Sequence, residues 1–317
     1  MNRRKQRISS VLLAAAIIIS GSVSGFSAIP VKAEESNREK IYQVSLLQGL
    51  TLGDYHGSIS AGTLKENGDI GIGTFDRLNG ELIMLDGVVY RALGDGSVEE
   101  VKDTDTIPFA DVTFFEADRT ETLQGTESVE ALKALLDEKV DSLGKNMFYM
   151  VRLDGHFTEM NVRSELAQEE PYKPLAKVLE TDQTFFDYED IDGTVVGLYC
   201  PEYMKDLNAA GWHFHFISDD HKKGGHVLGL LIDDAELSID LTPGFSMLLP
   251  DNESFKGFDL TVDQSEDIKK VELNEETDTG EAGQAYDLPV SRDLTELLDI
   301  FQTFMTWIRN FSTASSN

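Results

Sequence analysis

The sequence predicts an α+β fold built from two closely packed β-rich, mixed-sheet sections with a few helices. Three observations predict it. From Ile41 onward, short apolar runs alternate with turns rich in Gly, Asp and Asn, the pattern of strands joined by tight connections. Helical periodicity is confined to a few segments, of which residues 128–140 are the clearest before the chain's end. No strand–helix–strand repeat recurs along the chain, which argues against a doubly wound parallel sheet.

Taken in order, residues 41–47, 69–75, 81–85, 88–93 and 112–115 read as strands. Asp86-Gly87 between two of them is a hairpin signal, because both residues tolerate the positive φ that a tight turn needs. Ser128 caps a helix whose apolar positions Val129, Leu132, Leu136 and Val140 recur at helical spacing. Residues 148–163 read as a strand pair turning at Asp154-Gly155. A second β-rich stretch runs from Thr194 to Val262, with a short helix near Glu202–Leu207. The sections divide into 41–165 and 166–273, with Gln168–Pro174 as linker or surface loop.

Both ends differ from this body. Residues 1–33 have a basic start (Arg3, Arg4, Lys5, Arg7), a short apolar run from Val11 to Ile19 and small residues at Ala33, the pattern of an export signal cleaved near Ala33. The run is too short for a membrane span, and none comparable follows. The expectation is a secreted protein with no stable membrane anchor after cleavage. Residues 34–40 read as a charged, disordered start, 274–290 as an acidic linker and 291–317 as an amphipathic helix.

The net charge of −30 becomes about −35 on cleavage, since residues 1–33 carry five basic residues and no acidic one. Such a surface repels nucleic acid and anionic lipid, so no nucleic-acid partner is expected. Cys200, the single cysteine, cannot form an internal disulfide and reads as a small core residue.

Chemistry concentrates between His213 and His226, which hold four of the six histidines. Trp212, Phe214 and Phe216 flank and separate His213 and His215, so strand alternation puts both imidazoles on one face. The polar segment 218–225 forms a turn, and His226 opens the apolar return strand. An isolated His-x-His is common without metal, but a third histidine returning across a hairpin makes the set of a catalytic Zn2+, with one coordination position open. His221, in the charged turn, reads as solvated. Alone, Glu81, Arg163 and Glu272 each read as surface or strand-end residues. The glycines of Gly71-Ile-Gly73 precede a hairpin and make a poor phosphate loop.

Thr63-Leu64, the run Gly71 to Asp76, Leu78 to Leu82, and Gly211 to Phe216 with His226 together resemble the acetolactate decarboxylases over residues 40–273. The resemblance implies that His213, His215 and His226 hold zinc. It implies that Glu81, Arg163, Glu272 and Thr74 are active-site residues, and that the substrate is 2-acetolactate, decarboxylated to acetoin. A homodimer is compatible with this reading, and the segment past residue 280 is an extension. The chemistry agrees: zinc can chelate the hydroxyl and ketone oxygens and stabilise the enediolate left by carbon dioxide. Arg163 can pair with the carboxylate, and Glu81 or Glu272 can deliver a proton stereospecifically. Two alternatives remain at this stage. A cupin-like metal-dependent dioxygenase would use Asp219 as its carboxylate ligand, and a secreted metal-binding module would tolerate loss of Glu81 and Arg163.

Overall fold

A computed structural model describes residues 38–205 and 207–272. The segments expected to be an export signal, an acidic linker and an amphipathic helix lie outside the described residues. Seven strands form the first sheet: β1 (Lys40–Val44), β3 (Ile70–Thr74), β4 (Glu81–Leu85), β5 (Val88–Ala92), β6 (Val98–Glu100), β8 (Phe109–Thr113) and β14 (Gly244–Leu248). Their order is β14-β1-β8-β3-β4-β5-β6, and β14 pairs with β1 in parallel. A short pair, β2 (Ile59–Ser60) with β7 (Thr106–Ile107), stands beside it. The second sheet holds β9 (Arg119–Thr126), β10 (Phe148–Glu165), β11 (Gln183–Cys200), β12 (Gly211–Ser218) and β13 (Gly224–Thr242). Here β10 pairs with both β11 and β13, and β12 joins those two, so four long strands close into a ring. The helices are α1 (Leu47–Thr51), α2 (Ala61–Lys65), α3 (Val129–Leu143), α4 (Leu175–Val178), α5 (Glu253–Gly257) and α6 (Ser265–Glu272).

The alternation along β12 sorts its side chains into two layers. Trp212, Phe214 and Phe216 face a core shared with Leu132, Leu136 and Val140 of α3. Trp212 Nε1 also donates to Asp137 of that helix at 2.9 Å. Ile217, on the other face, packs with Ile70, Ile72 and Ile83 of the first sheet. His213 and His215 share the face of Ile217, so they lie toward the seam between the two sheets. Among the predicted elements, Asp86-Gly87 forms its hairpin, with φ of 51° and 78°. Ser128 caps α3 by accepting from Ala131 N at 3.0 Å.

Several expectations require correction. Residues 148–163 do not turn at Asp154-Gly155; β10 runs unbroken through both. A Cβ on Gly155 would lie 2.3 Å from the Asp234 carbonyl oxygen, so this glycine serves the close approach of β13. Asp154 is held within the sheet by Thr194 Oγ1 at 2.7 Å and Arg152 Nε at 2.6 Å. Gly71 and Gly73 likewise admit a strand, since Cβ atoms there would meet β8 carbonyls at 2.1 and 2.4 Å. Residue 165 does not separate the sheets: β14 belongs to the first, β9 and β10 to the second. At the start, Lys40 already pairs in β1, inside the stretch expected to be disordered, while Leu47 begins α1 and does not prolong the strand.

One buried polar cluster ties the layers together away from the histidines. Asn208 Nδ2 donates to Gln43 Oε1 at 3.0 Å and to Asp111 Oδ2 at 2.8 Å. Asp111 is fully buried with Oδ1 unpartnered, and burial pushes its carboxyl up to about 7. Because the folded pKa exceeds the unfolded one, Asp111 costs stability progressively as pH rises between about 4 and 7. Asp111→Asn should therefore raise stability by at least about 1 kcal/mol at pH 8 and change it little near pH 4. Thermal melts of both proteins at the two pH values check this, and equal differences at both would contradict it.

Candidate metal centre

The histidine cluster follows from strand register. Across the second sheet, His215 on β12 pairs with His226 on β13, and His226 pairs with Arg163 on β10. Those three side chains form a row, with His213 two residues along β12. All three imidazoles are buried. His213 Nε2 lies 3.1 Å from His215 Nε2 and 3.1 Å from His226 Nδ1, and the three ligand atoms all lie within 4.8 Å of one another. His215 Nδ1 is 2.8 Å from the Leu82 carbonyl oxygen. A carbonyl can only accept, so Nδ1 carries the hydrogen and Nε2 presents its lone pair.

These residues fit a bound cation. Burial lowers His215 to about 3 and His213 and His226 well below the usual histidine value, so all three are neutral ligands at neutral pH. Whichever tautomer His213 adopts, its Nε2 cannot make good hydrogen bonds to both ring nitrogens at 3.1 Å, whereas a cation takes all three lone pairs. Tetrahedral zinc with bonds of about 2.05 Å places its ligand atoms roughly 3.3 Å apart.

Carboxyls flank the imidazoles. Glu81 Oε2 is 3.5 Å from His215 Nε2, and Glu272 Oε2 is 3.5 Å from His213 Nε2 and 4.0 Å from His226 Nδ1. Glu81 comes from the first sheet, opposite Thr74 in the β3–β4 ladder. Thr74 Oγ1 is anchored by donating to the Gly80 carbonyl at 2.9 Å. Glu272 ends α6, one turn beyond Ile268 and therefore on its buried side. Ile268 and Val271 lock that helix against Leu47, Leu50 and Leu175. Burial pushes Glu272 up to about 7, against Arg163 and with help from Glu165. Glu81 is raised well above the usual carboxyl range, by burial first and Glu165 second.

Arg163 reaches this cleft because of an irregularity. On β10, Val151, Leu153 and Phe157 face the α3 side, as do Met160 and Val162. The facing parity therefore changes once, where the β10–β13 register shifts between Phe157 and Glu159. Arg163 and Glu165 consequently turn toward the cleft. Arg163 Nη2 donates to the Val271 carbonyl and Nη1 approaches Gln183 Oε1 at 3.5 Å. Arg152, the other arginine on β10, pairs instead with Asp86 at 2.7 Å and Asp154 at 2.6 Å.

The structure thus gathers all seven residues singled out in the sequence. Thr74, Glu81, Arg163, Glu272, His213 and His215 line one cleft, walled by Leu50, Leu78, Phe109 and Leu175, with His226 behind it. It adds Glu165, which sequence reading missed although it sits two residues from Arg163 on the same strand face. His221 stays in the turn, its ring 4.6 Å from that of Tyr90. Asp219, the carboxylate ligand a dioxygenase would require, is exposed and outside the cluster.

Three buried imidazoles spaced for a cation, with carboxyls and one guanidinium in the same cleft, are the makings of a metal-centred enzyme. Similarity to known proteins makes the class specific. The family model for alpha-acetolactate decarboxylase matches residues 41–262, and the chain belongs to that family. Its relatives include the alpha-acetolactate decarboxylase of Methanosarcina mazei, 41% identical over 232 residues, covering 73% of this chain and 80% of the relative. That of Bacillus licheniformis is 34% identical over 247 residues, covering 78% and 96%. The crystal structure of alpha-acetolactate decarboxylase from Bacillus subtilis strain 168 superimposes with a TM-score of 0.71 at 33% identity, covering 74% of this chain and 99% of that one.

Proposed function

We propose that this chain is a zinc-dependent decarboxylase that converts 2-acetolactate into acetoin and carbon dioxide, with His213, His215 and His226 holding the metal. The observation that carries the reading is the neutral imidazole set lying in one cleft with a guanidinium and protonatable carboxyls. When bound, zinc supplies Lewis acidity toward the substrate's hydroxyl and ketone oxygens. The remaining work belongs to side chains. Arg163 binds and orients the substrate carboxylate through a charge-assisted contact. Leu50, Leu78, Phe109 and Leu175 form the apolar part of the cleft wall. Thr74, fixed by Gly80, shapes the floor beside Glu81.

Loss of carbon dioxide leaves an electron pair on the carbon that bore the carboxylate, and that carbon must take one proton. Glu81 and Glu272 are placed to give it, each 3.5 Å from a ligand imidazole, and burial raises both carboxyls, Glu272 to about 7. Delivery from a fixed carboxyl on one side sets the configuration of the acetoin. Acetolactate should yield one acetoin per carbon dioxide, at the same rate with and without oxygen. No acetoin, or a strict oxygen requirement, would overturn the reading.

The basic start, short apolar run and Ala33 support export with cleavage before Glu34. Sequencing the N-terminus of secreted protein should give a start near Glu34, and a membrane-bound chain beginning at Met1 would contradict it.

A further inference from the structure

Glu165 is a buried acid to which the reaction above assigns no task. It is 3% exposed and lies two residues past Arg163 on β10, on the cleft-facing side. Its Oε1 is 3.9 Å from Arg163 Nε, and Arg163 is itself buried. Neither Arg163 Nε nor Glu165 Oε2 makes a hydrogen bond. A contact this long is a weak ion pair, and Glu165 also shares a side-chain hydrogen bond with Glu81 inside the cleft. Both partners are site residues, so the fold alone gives little reason for an acid here.

The chemistry does give one. In decarboxylation, negative charge leaves the carboxylate and moves toward the oxygens of the product. Any interaction that favours the ground-state carboxylate over the transition state slows that step. An unopposed, buried guanidinium is such an interaction, since charges attract more strongly away from water. Resting on the acetolactate decarboxylase reading, we propose that Glu165 is a positioning residue that moderates Arg163: its carboxylate beside Nε weakens the guanidinium's grip on the substrate carboxylate and lets carbon dioxide depart. Glu165 acts through Arg163 and does not touch the substrate.

The signature is a split that a purely structural residue would not produce. In the full zinc-loaded enzyme, Glu165→Gln should lower KM for acetolactate and lower kcat, each by roughly threefold or more, the size typical of coupled neighbours. Binding of 2-hydroxyisobutyrate, a 2-hydroxy acid with no ketone to receive charge, should tighten by a similar factor. Glu165→Asp withdraws the charge by one methylene and should give a smaller shift of the same sign. It also serves as the test if the glutamine variant does not fold. Unchanged 2-hydroxyisobutyrate affinity, or a KM that rises, overturns the role of Glu165. A wild-type enzyme that makes no acetoin overturns the decarboxylase reading instead, so the two failures are distinguishable.

Discussion

Replacing His213, His215 or His226 singly by Ala should empty the metal site and lower acetoin formation by at least about a thousandfold. The three nitrogens are the converging ligand atoms identified among the described residues, and removing one leaves two neutral donors. Two imidazoles hold zinc far less tightly than three, and transition-state stabilisation by a metal is worth several kcal/mol, with each 1.4 kcal/mol a factor of about ten in rate. His215→Ala carries an added cost, because the Leu82 carbonyl loses its donor. His221→Ala is the control: that ring packs on Tyr90 in the turn, and its loss should leave zinc content and rate unchanged. Elemental analysis beside a rate assay reads both. Full zinc occupancy in any of the three variants would remove that residue from the ligand set.

The second large effect separates holding the metal from performing the reaction. Glu81→Gln, Glu272→Gln and Arg163→Lys should keep their zinc and still lose roughly a hundredfold or more in kcat, as loss of a positioned acid or electrostatic group typically does. The glutamines preserve shape while removing the transferable proton. Lysine keeps the charge of Arg163 but cannot reproduce the planar fork that reaches Val271 and Gln183 together. Alanine is the less informative change there, since it would leave Glu165 buried beside nothing positive. The glutamate that delivers the proton should also lose stereochemical control, so its variant should form partly racemic acetoin, detectable by chiral chromatography. Near-normal rates in all three variants would leave the metal as the sole source of catalysis.

The parts of the site legible in the sequence are those written in local spacing. His213 and His215 share a face because strands alternate, and the turn that brings back His226 is marked by the polar run 219–223, although Gly224 and Gly225, expected in that turn, already pair in β13. Asp86-Gly87 and the Ser128 cap are likewise set by a few adjacent residues. What escaped depends on distant partners. Asp154-Gly155 carries the same dipeptide as a true hairpin, yet it lies within β10 because Asp234 and Ala235 of β13 crowd against it. The register shift that turns Arg163 and Glu165 into the cleft shows in the sequence only as the three-residue step from Phe157 to Met160, whose meaning depends on the β10–β13 pairing. Glu272 looked like a solvated helix position, though its four-residue spacing from Ile268 already put it on the apolar side. The parallel docking of β14 onto β1 joins residues about two hundred positions apart, and no local pattern announces it.

The measurement that bears most directly on the whole account is acetoin formation by the intact chain before and after the metal is stripped with a chelator and restored. The intact chain should carry one zinc, lose turnover on stripping, and recover it on addition of one equivalent of zinc. The His213→Ala protein should show no recovery. Undiminished turnover of acetolactate by the metal-free chain would contradict the zinc-dependent reading.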